Sequence, residues 1–262
     1  MMTSKVKKTT KWLALFSTLI TPSVLAESKS AVCAEQISAS YSQPTRRYAH
    51  GVLGDTIEYG GLTVTTRYSE SHCPATPKVQ EATLPESMVF EDLTPRLVDL
   101  NNDQKPEIIT IESSVAEGAR LAIWGIENGT LTRLTATPTI GQAYRWLAPI
   151  GAADLDGDGH MEIAYIDRPH LAQTLRIWRY QDNNLEQIAS LAGLTNHRIG
   201  EDFISGGIRQ CGQTAELITA DSGWANVVAI KLSNGALTTE KLGRFRGQQS
   251  FAKALKCMPL DQ

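Results

Sequence analysis

Asp154-Leu155-Asp156-Gly157-Asp158-Gly159-His160-Met161-Glu162, DLDGDGHME, runs directly into an apolar stretch at residues 163–166. Acids stand at positions one, three and five, with glycines at four and six. Glycine takes φ > 0 without a Cβ penalty, so a loop of this kind curls its carboxylates inward, toward a hard cation. Position seven, His160, offers its backbone carbonyl, since an imidazole nitrogen is a poor calcium ligand, and Glu162 at position nine adds a fourth carboxylate. Left empty, four carboxylates so close together repel one another. The residues therefore read as a calcium loop with Asp154, Asp156, Asp158, His160 and Glu162 as ligands. A helix-loop-helix hand is excluded, because its twelfth position needs Glu and here is Tyr165, inside an apolar strand.

The pattern recurs upstream. Asp99-Leu100-Asn101-Asn102-Asp103-Gln104-Lys105-Pro106-Glu107 precedes Ile108-Ile109-Thr110-Ile111, and Glu107 lies 55 residues before Glu162 (162 − 107). A third copy, residues 208–216 followed by Leu217-Ile218-Thr219-Ala220, has Ile208, Gln210 and Gly212 where the acids stood, so no metal is expected there. Apolar runs at 121–124, 175–178 and 227–230 are followed at one phase by Asn128-Gly129, Asn183-Asn184 and Asn234-Gly235. Asn-Gly supplies the two φ > 0 residues of a type I′ hairpin turn.

Each unit thus reads as an inner strand (96–98, 149–153, 204–207), a loop and three further strands, and a four-stranded unit of about 50 residues is the size of a propeller blade. The expected fold is all-β, a small β-propeller of about four blades, with units at 46–93, 94–147, 148–202 and 203–247 and a closing tail at 248–262. In the degenerate first unit, residues 50–58 take the loop phase and 62–66 a strand, while 73–87, rich in Pro, Thr and Glu, reads as an irregular loop. Ring closure asks residues 35–41 to complete the last blade and 250–258 to form a short helix over it. The alternative is an open two-layer β structure, whose sheet edges radial repetition would hide.

Residues 1–26 carry the three parts of a secretory signal: Lys5, Lys7, Lys8 and Lys11, an apolar core at 12–20, and Val24-Leu25-Ala26 as a cleavage site. The mature chain, 27–262, is expected to be exported to a periplasm or beyond, as a single domain without a membrane span. The whole sequence has 25 basic and 28 acidic residues; without those four lysines the balance is 21 − 28 = −7, which argues against nucleic acid as a partner. Four cysteines, Cys33, Cys73, Cys211 and Cys257, in an exported chain imply two disulfides with three possible connectivities. Order along the chain favours Cys33 with Cys73 and Cys211 with Cys257. Cys211 also sits in the acid-free third loop, where a bridge would fasten that loop to the tail in place of a metal.

DLNNDQKPEI and DLDGDGHMEI resemble the FG-GAP or VCBS repeat, a propeller-blade motif also found in the α-subunit head of integrins. The resemblance covers residue 94 to about 246, and the mature chain is similar to small exported bacterial proteins that carry VCBS repeats. It implies a calcium-stiffened propeller with a binding role, and no reaction. Carried over position by position, it also places ligands at Asp99, Asn101, Asp103, the carbonyl of Lys105, and Glu107. Asn102 and Gln104 replace both glycines of that loop, and Asn101 removes a charge, so its calcium affinity is expected to be lower.

Propellers bind ligands where the inner strands begin. Here the residues in question are Arg46-Arg47-Tyr48 with His50, Glu91-Asp92, Tyr144-Arg145-Trp146, and His197-Arg198 with Glu201-Asp202. His50, Arg145, Trp146, His197, Arg198 and Glu201 are the candidate face for a polar or anionic ligand or a protein partner, with the arginines as forked donors and Trp146 as a stacking surface. The bland reading of the same residues is solvated loop charge and salt bridges. No nucleophile motif, zinc motif or phosphate loop occurs, and no catalytic residue is assigned. The leading expectation is a non-catalytic calcium-binding interaction module. A calcium-dependent hydrolase of phosphate esters or glycans, and a purely structural envelope protein, are the alternatives.

Overall fold

The computed structural model describes Met1, residues 35–68 and residues 73–261. The expected signal peptide and Cys33 fall outside the described residues. The fold described below lies within one unit, Cys33–Gln262.

Among the described residues, seventeen strands form three sheets, none closed on itself. The first contains β1 (Glu35–Thr45), β2 (Glu58–Tyr68), β3 (Lys78–Thr83), β4 (Met88–Phe90), β5 (Arg96–Val98), β6 (Glu107–Ser114), β7 (Gly118–Glu127) and β8 (Thr130–Ala136). The second holds β9 (Leu147–Ala153), β10 (Met161–Asp167), β11 (Thr174–Gln181) and β12 (Asn184–Ala192). The third holds β13 (Leu194–Thr195), β14 (Gly207–Arg209), β15 (Glu216–Asp221), β16 (Asn226–Ser233) and β17 (Ala236–Arg244), and is followed by α1 (Gln248–Leu255).

The repeated units keep one plan. A short inner strand (β5, β9, β14) pairs antiparallel with a strand whose residues are almost all buried (β6, β10, β15), then come a second middle strand and a half-exposed outer one. Strands covered on both faces must be nearly continuously apolar, as Ile108-Ile109-Thr110-Ile111 and Ile163-Ala164-Tyr165-Ile166 are. The hairpin turns sit where the sequence puts them, with φ 49° and 76° at Asn128 and Gly129, and 50° and 73° at Asn234 and Gly235. In the second sheet the turn is Asp182-Asn183, one residue earlier than expected, because Gln181 pairs with Asn184.

Three expectations are corrected. Residues 35–41 do not complete the last sheet: they lie in β1, which pairs along its whole length with β2, from Glu35 opposite Tyr68 to Thr45 opposite Glu58. Each sheet is open, which fits the alternative expectation of an open β structure. The stretch 73–87 is not wholly irregular, since Lys78–Thr83 forms β3 on β2, and Met88–Phe90 pairs with both β2 and β6 and so joins the first two units into one sheet. The inner strand of the last unit begins at Gly207 rather than 204, after Gly206 at φ 83°, where a Cβ would stand 2.1 Å from the Ile218 carbonyl oxygen. α1 lays Phe251 and Ala254 on Ile218, Ala220, Val227 and Ala229 of the last sheet, burying its apolar face there.

Candidate functional site

The loop between β9 and β10 folds around Asp154, whose Oδ1 accepts the Gly157 N–H at 2.7 Å and whose Oδ2 accepts that of Gly159 at 3.0 Å. Gly157 and Gly159 have φ 82° and 90° with open space around them, so glycine is favoured there by backbone conformation and not by crowding. Leu155 is buried in the core, and its N–H donates to Glu162 Oε2 at 2.9 Å. Oxygens of Asp154, Asp156 and Glu162 lie within 4.8 Å of one another, the one such carboxylate group among the described residues.

Arg179, directly opposite Glu162 on β11, reaches into this group. Its Nε meets Glu162 Oε1 at 2.8 Å, and its Nη2 meets Asp156 Oδ2 at 2.8 Å and Asp158 Oδ2 at 2.9 Å. Four acids and one guanidinium leave the loop short of three positive charges. Asp156 Oδ1 is buried without a hydrogen-bond partner. A buried, unpaired carboxylate oxygen beside excess negative charge fits a hard cation, so the loop passes this test for calcium.

The loop at 99–107 copies the scaffold. Asp99 accepts the N–H groups of Asp103 and Gln104 at 3.1 and 2.9 Å, and Glu107 Oε2 accepts that of Leu100 at 2.7 Å. Asn102 and Gln104 adopt φ 61° and 69°, in the places of the two glycines. Its carboxylates do not converge, because Asn101 turns its amide N–H onto Glu107 Oε1 at 2.9 Å. Lys105 donates its N–H to Asp103 Oδ1 at 2.8 Å. In the third copy, Glu216 is bound by Arg209 at 2.6 Å and Lys231 at 2.8 Å, and Cys211 is bonded to Cys257, as expected from the order of the cysteines. Cys73 is also disulfide-bonded.

These three glutamates form a graded series. Burial raises the pKa of Glu107 and of Glu162. Burial acts upward on Glu216 too, but Lys231 and Arg209 together outweigh it and hold the carboxyl below its ordinary range.

The candidate face divides in the structure. His50, Arg145 and Trp146 line one cavity of about 230 Å³, together with Tyr144, Arg168 and His170. His197 is fully buried behind it, and Arg198 turns away, its guanidinium 4.3 Å from the Trp224 ring centre and 5.1 Å from that of Phe245. Glu201 uses its side chain on the Arg198 N–H at 3.3 Å. Trp146 is only 2% exposed, donates its indole N–H to the Glu91 carbonyl at 2.7 Å and sets its ring edge to face against His197, so it serves as a wall rather than a stacking platform. Glu91 and Asp92 are buried as well: Glu91 holds His50 Nδ1 at 2.5 Å and accepts from Ser113, while Asp92 pairs with Arg96.

His170, outside the candidate face named from the sequence, adds a ring nitrogen to the cavity whose state follows from its hydrogen bonds. His197 Nε2 lies 3.0 Å from the Glu201 carbonyl, which can only accept, so that nitrogen carries the proton. His197 Nδ1 is then an acceptor for His170 Nε2–H at 3.1 Å, and His170 Nδ1 is left with a lone pair. Burial, then the neighbouring His197, pushes the His170 pKa down to about 4.

A depressed folded-state pKa on a base gives stability present above the ordinary value of 6.5 and lost as pH falls toward about 4. We expect His170→Asn to flatten part of the acid-side decline, by about 2 kcal/mol at pH 4. Urea midpoints of parent and variant from pH 7 to pH 4 check it, and parallel curves would refute the neutral imidazole pair.

The sequence model of the FG-GAP-like repeat matches residues 99–165, from the first acidic loop through the second and into β10. Comparison with curated proteins gave no match. No described helix is long and apolar enough to cross a membrane.

Proposed function

We propose that the chain is an exported, non-catalytic interaction module whose acidic loop at 154–162 takes calcium. The FG-GAP-like match over 99–165 supports a repeat-built β scaffold of the kind used for binding. The observation that carries the binding reading is the rim of the 230 Å³ cavity: Leu171 and Ile199 are 63% and 74% exposed, beside Arg145 and the neutral His170. Large apolar side chains held in water around a polar floor mark a partner surface. The chemistry fits a protein segment that covers the two aliphatic side chains and presents an anionic group to Arg145, whose Nη1 is held by the Tyr144 carbonyl at 2.7 Å.

Asp154, Asp156, Asp158, the His160 carbonyl and Glu162 would hold calcium, sharing three of the carboxylates with Arg179. Bound there, the ion adds positive charge that stiffens the turn into β10. The loop at 99–107, with Asp99, Asn101, Asp103, the Lys105 carbonyl and Glu107, is the weaker calcium candidate. Hydrolysis has one observation in its favour, the lone pair on His170 Nδ1 in a half-enclosed cavity.

The test compares parent and a Leu171→Asp/Ile199→Asp variant as baits in envelope extracts with calcium, with captured proteins identified by mass spectrometry. A specific partner held by the parent and reduced at least tenfold on the variant is the expected result. Equal capture by both would remove the assignment of this rim. Turnover of a phosphate-ester or glycan panel, abolished by His170→Asn, would replace binding with hydrolysis.

A further inference from the structure

A second cavity, about 440 Å³, lies away from the candidate face. It lies beside Glu107, at the phase of the repeat that Arg179 fills in the second sheet. The ladder sets Ile108 opposite Trp124, so one residue further Glu107 faces Gly125; the equivalent pairs are Glu162 with Arg179, and Glu216 with Lys231. In two units, then, a tethered cation meets the buried glutamate from the neighbouring strand. In the remaining one the residue is glycine; Glu107 Oε1 accepts from the neutral Asn101 amide instead, and no cationic side chain among the described residues forms an ion pair with it.

The cavity walls match what is missing. Glu35, Asp103, Glu107 and Glu127 line it against the single cation Lys105, and Ile37 and Leu134 supply an apolar side. With Lys78 close by on the Gly129 carbonyl, the acids still outnumber the cations around a space large enough for a small ligand. A bare metal ion would leave the apolar wall uncovered, whereas a cation on an alkyl stem suits both surfaces, as the side chain of Arg179 does in its own sheet.

The geometry points to a binding site for an alkyl guanidinium in the cavity between Glu107 and Gly125, standing in for the arginine that the sister unit carries on its own chain. The guanidinium can come from a free small molecule or from an arginine side chain of a peptide. The site is separate from the rim of Leu171 and Ile199 and does not depend on that reading, but it shares Asp103 and Glu107 with the weaker calcium candidate, so the two ligands are alternatives there.

Calorimetric titration of the full chain in chelator, with agmatine and with the peptide acetyl-Gly-Arg-Gly-amide, tests it. Saturable binding of at least one is expected, while the citrulline peptide, equal in shape and uncharged, should bind at least tenfold more weakly. Agmatine alone would indicate a small-molecule site, and binding of the peptide would indicate recognition of arginine within a chain. Gly125→Arg should abolish binding by filling the cavity from within. A Cβ at Gly125 would meet only the tip of Leu134, at 2.8 Å, a flexible end that can give way. Glu107→Gln should weaken binding at least tenfold and serves if the first variant fails to fold. No binding of either cation, or binding that survives both substitutions, would overturn the assignment, as would a site answering to calcium and to neither guanidinium.

Discussion

A Cys211→Ser/Cys257→Ser variant is expected to lose about 4 kcal/mol of unfolding free energy, the chain-entropy value for a bridge spanning 46 residues. That is a large fraction of the stability of an ordinary domain. The loss should be local in origin. α1 has only eight residues, no side-chain N-cap and few buried side chains, so it cannot persist without its dock. Phe251 and Ala254 provide that dock, Arg209 donates to the Ala254 carbonyl at 3.0 Å, and the bridge holds both in register immediately beyond the helix. Without it, α1 should fray first and expose Ile218, Ala220 and Val227. Urea denaturation gives the free energy, and hydrogen exchange over 248–255 gives the order of events. A loss below 1 kcal/mol with unchanged protection of the helix would mean that packing alone seats the tail.

Arg179→Ala should cost about 3 kcal/mol in chelator, since removing one partner of a buried ion pair leaves the other uncompensated. Glu162 has no exposed side-chain surface and would keep only the Leu155 N–H, while Asp156 and Asp158 lose their shared donor. Calcium should reverse most of the loss. Ligand at a hundredfold over its dissociation constant stabilises by about 2.7 kcal/mol, and in the variant the ion no longer shares oxygens with a guanidinium. Thermal melts of parent and variant, in chelator and in millimolar calcium, should therefore show a larger calcium shift in the variant. Equal shifts would refute competition between arginine and ion, and no shift in either protein would defeat the calcium assignment.

Much of this was legible in the sequence because it was written locally. The spacing of acids and glycines at 154–162 gave the loop backbone, Asn-Gly gave the turns, and the position of Cys211 in an acid-free loop pointed to its bond with Cys257. What escaped is non-local. Arg179 reads as one more outward charge on an alternating strand, and only the register of β10 against β11 brings it to Glu162, 17 residues away. β3 was hidden by composition, since Pro and Thr on either side masked a six-residue strand. The edge on which β1 pairs could not be read from its alternation, which equally suits the last sheet or β2. The His170 and His197 pair lies across 27 residues and two turns, with no periodic signal to connect them.

β4 is three residues long, yet it decides how the repeats are divided among sheets. By bonding to β2 on one side and β6 on the other, Met88–Phe90 makes a single plate of the first two units. Four repeats are thus carried by three sheets. The cavity of Tyr144, Arg145 and His170 draws on the first plate through His50, on the connector before β9, and on the second sheet through His170. The cavity is therefore walled by side chains carried on separate sheets, so its width is set by how those sheets pack and not by any strand pairing.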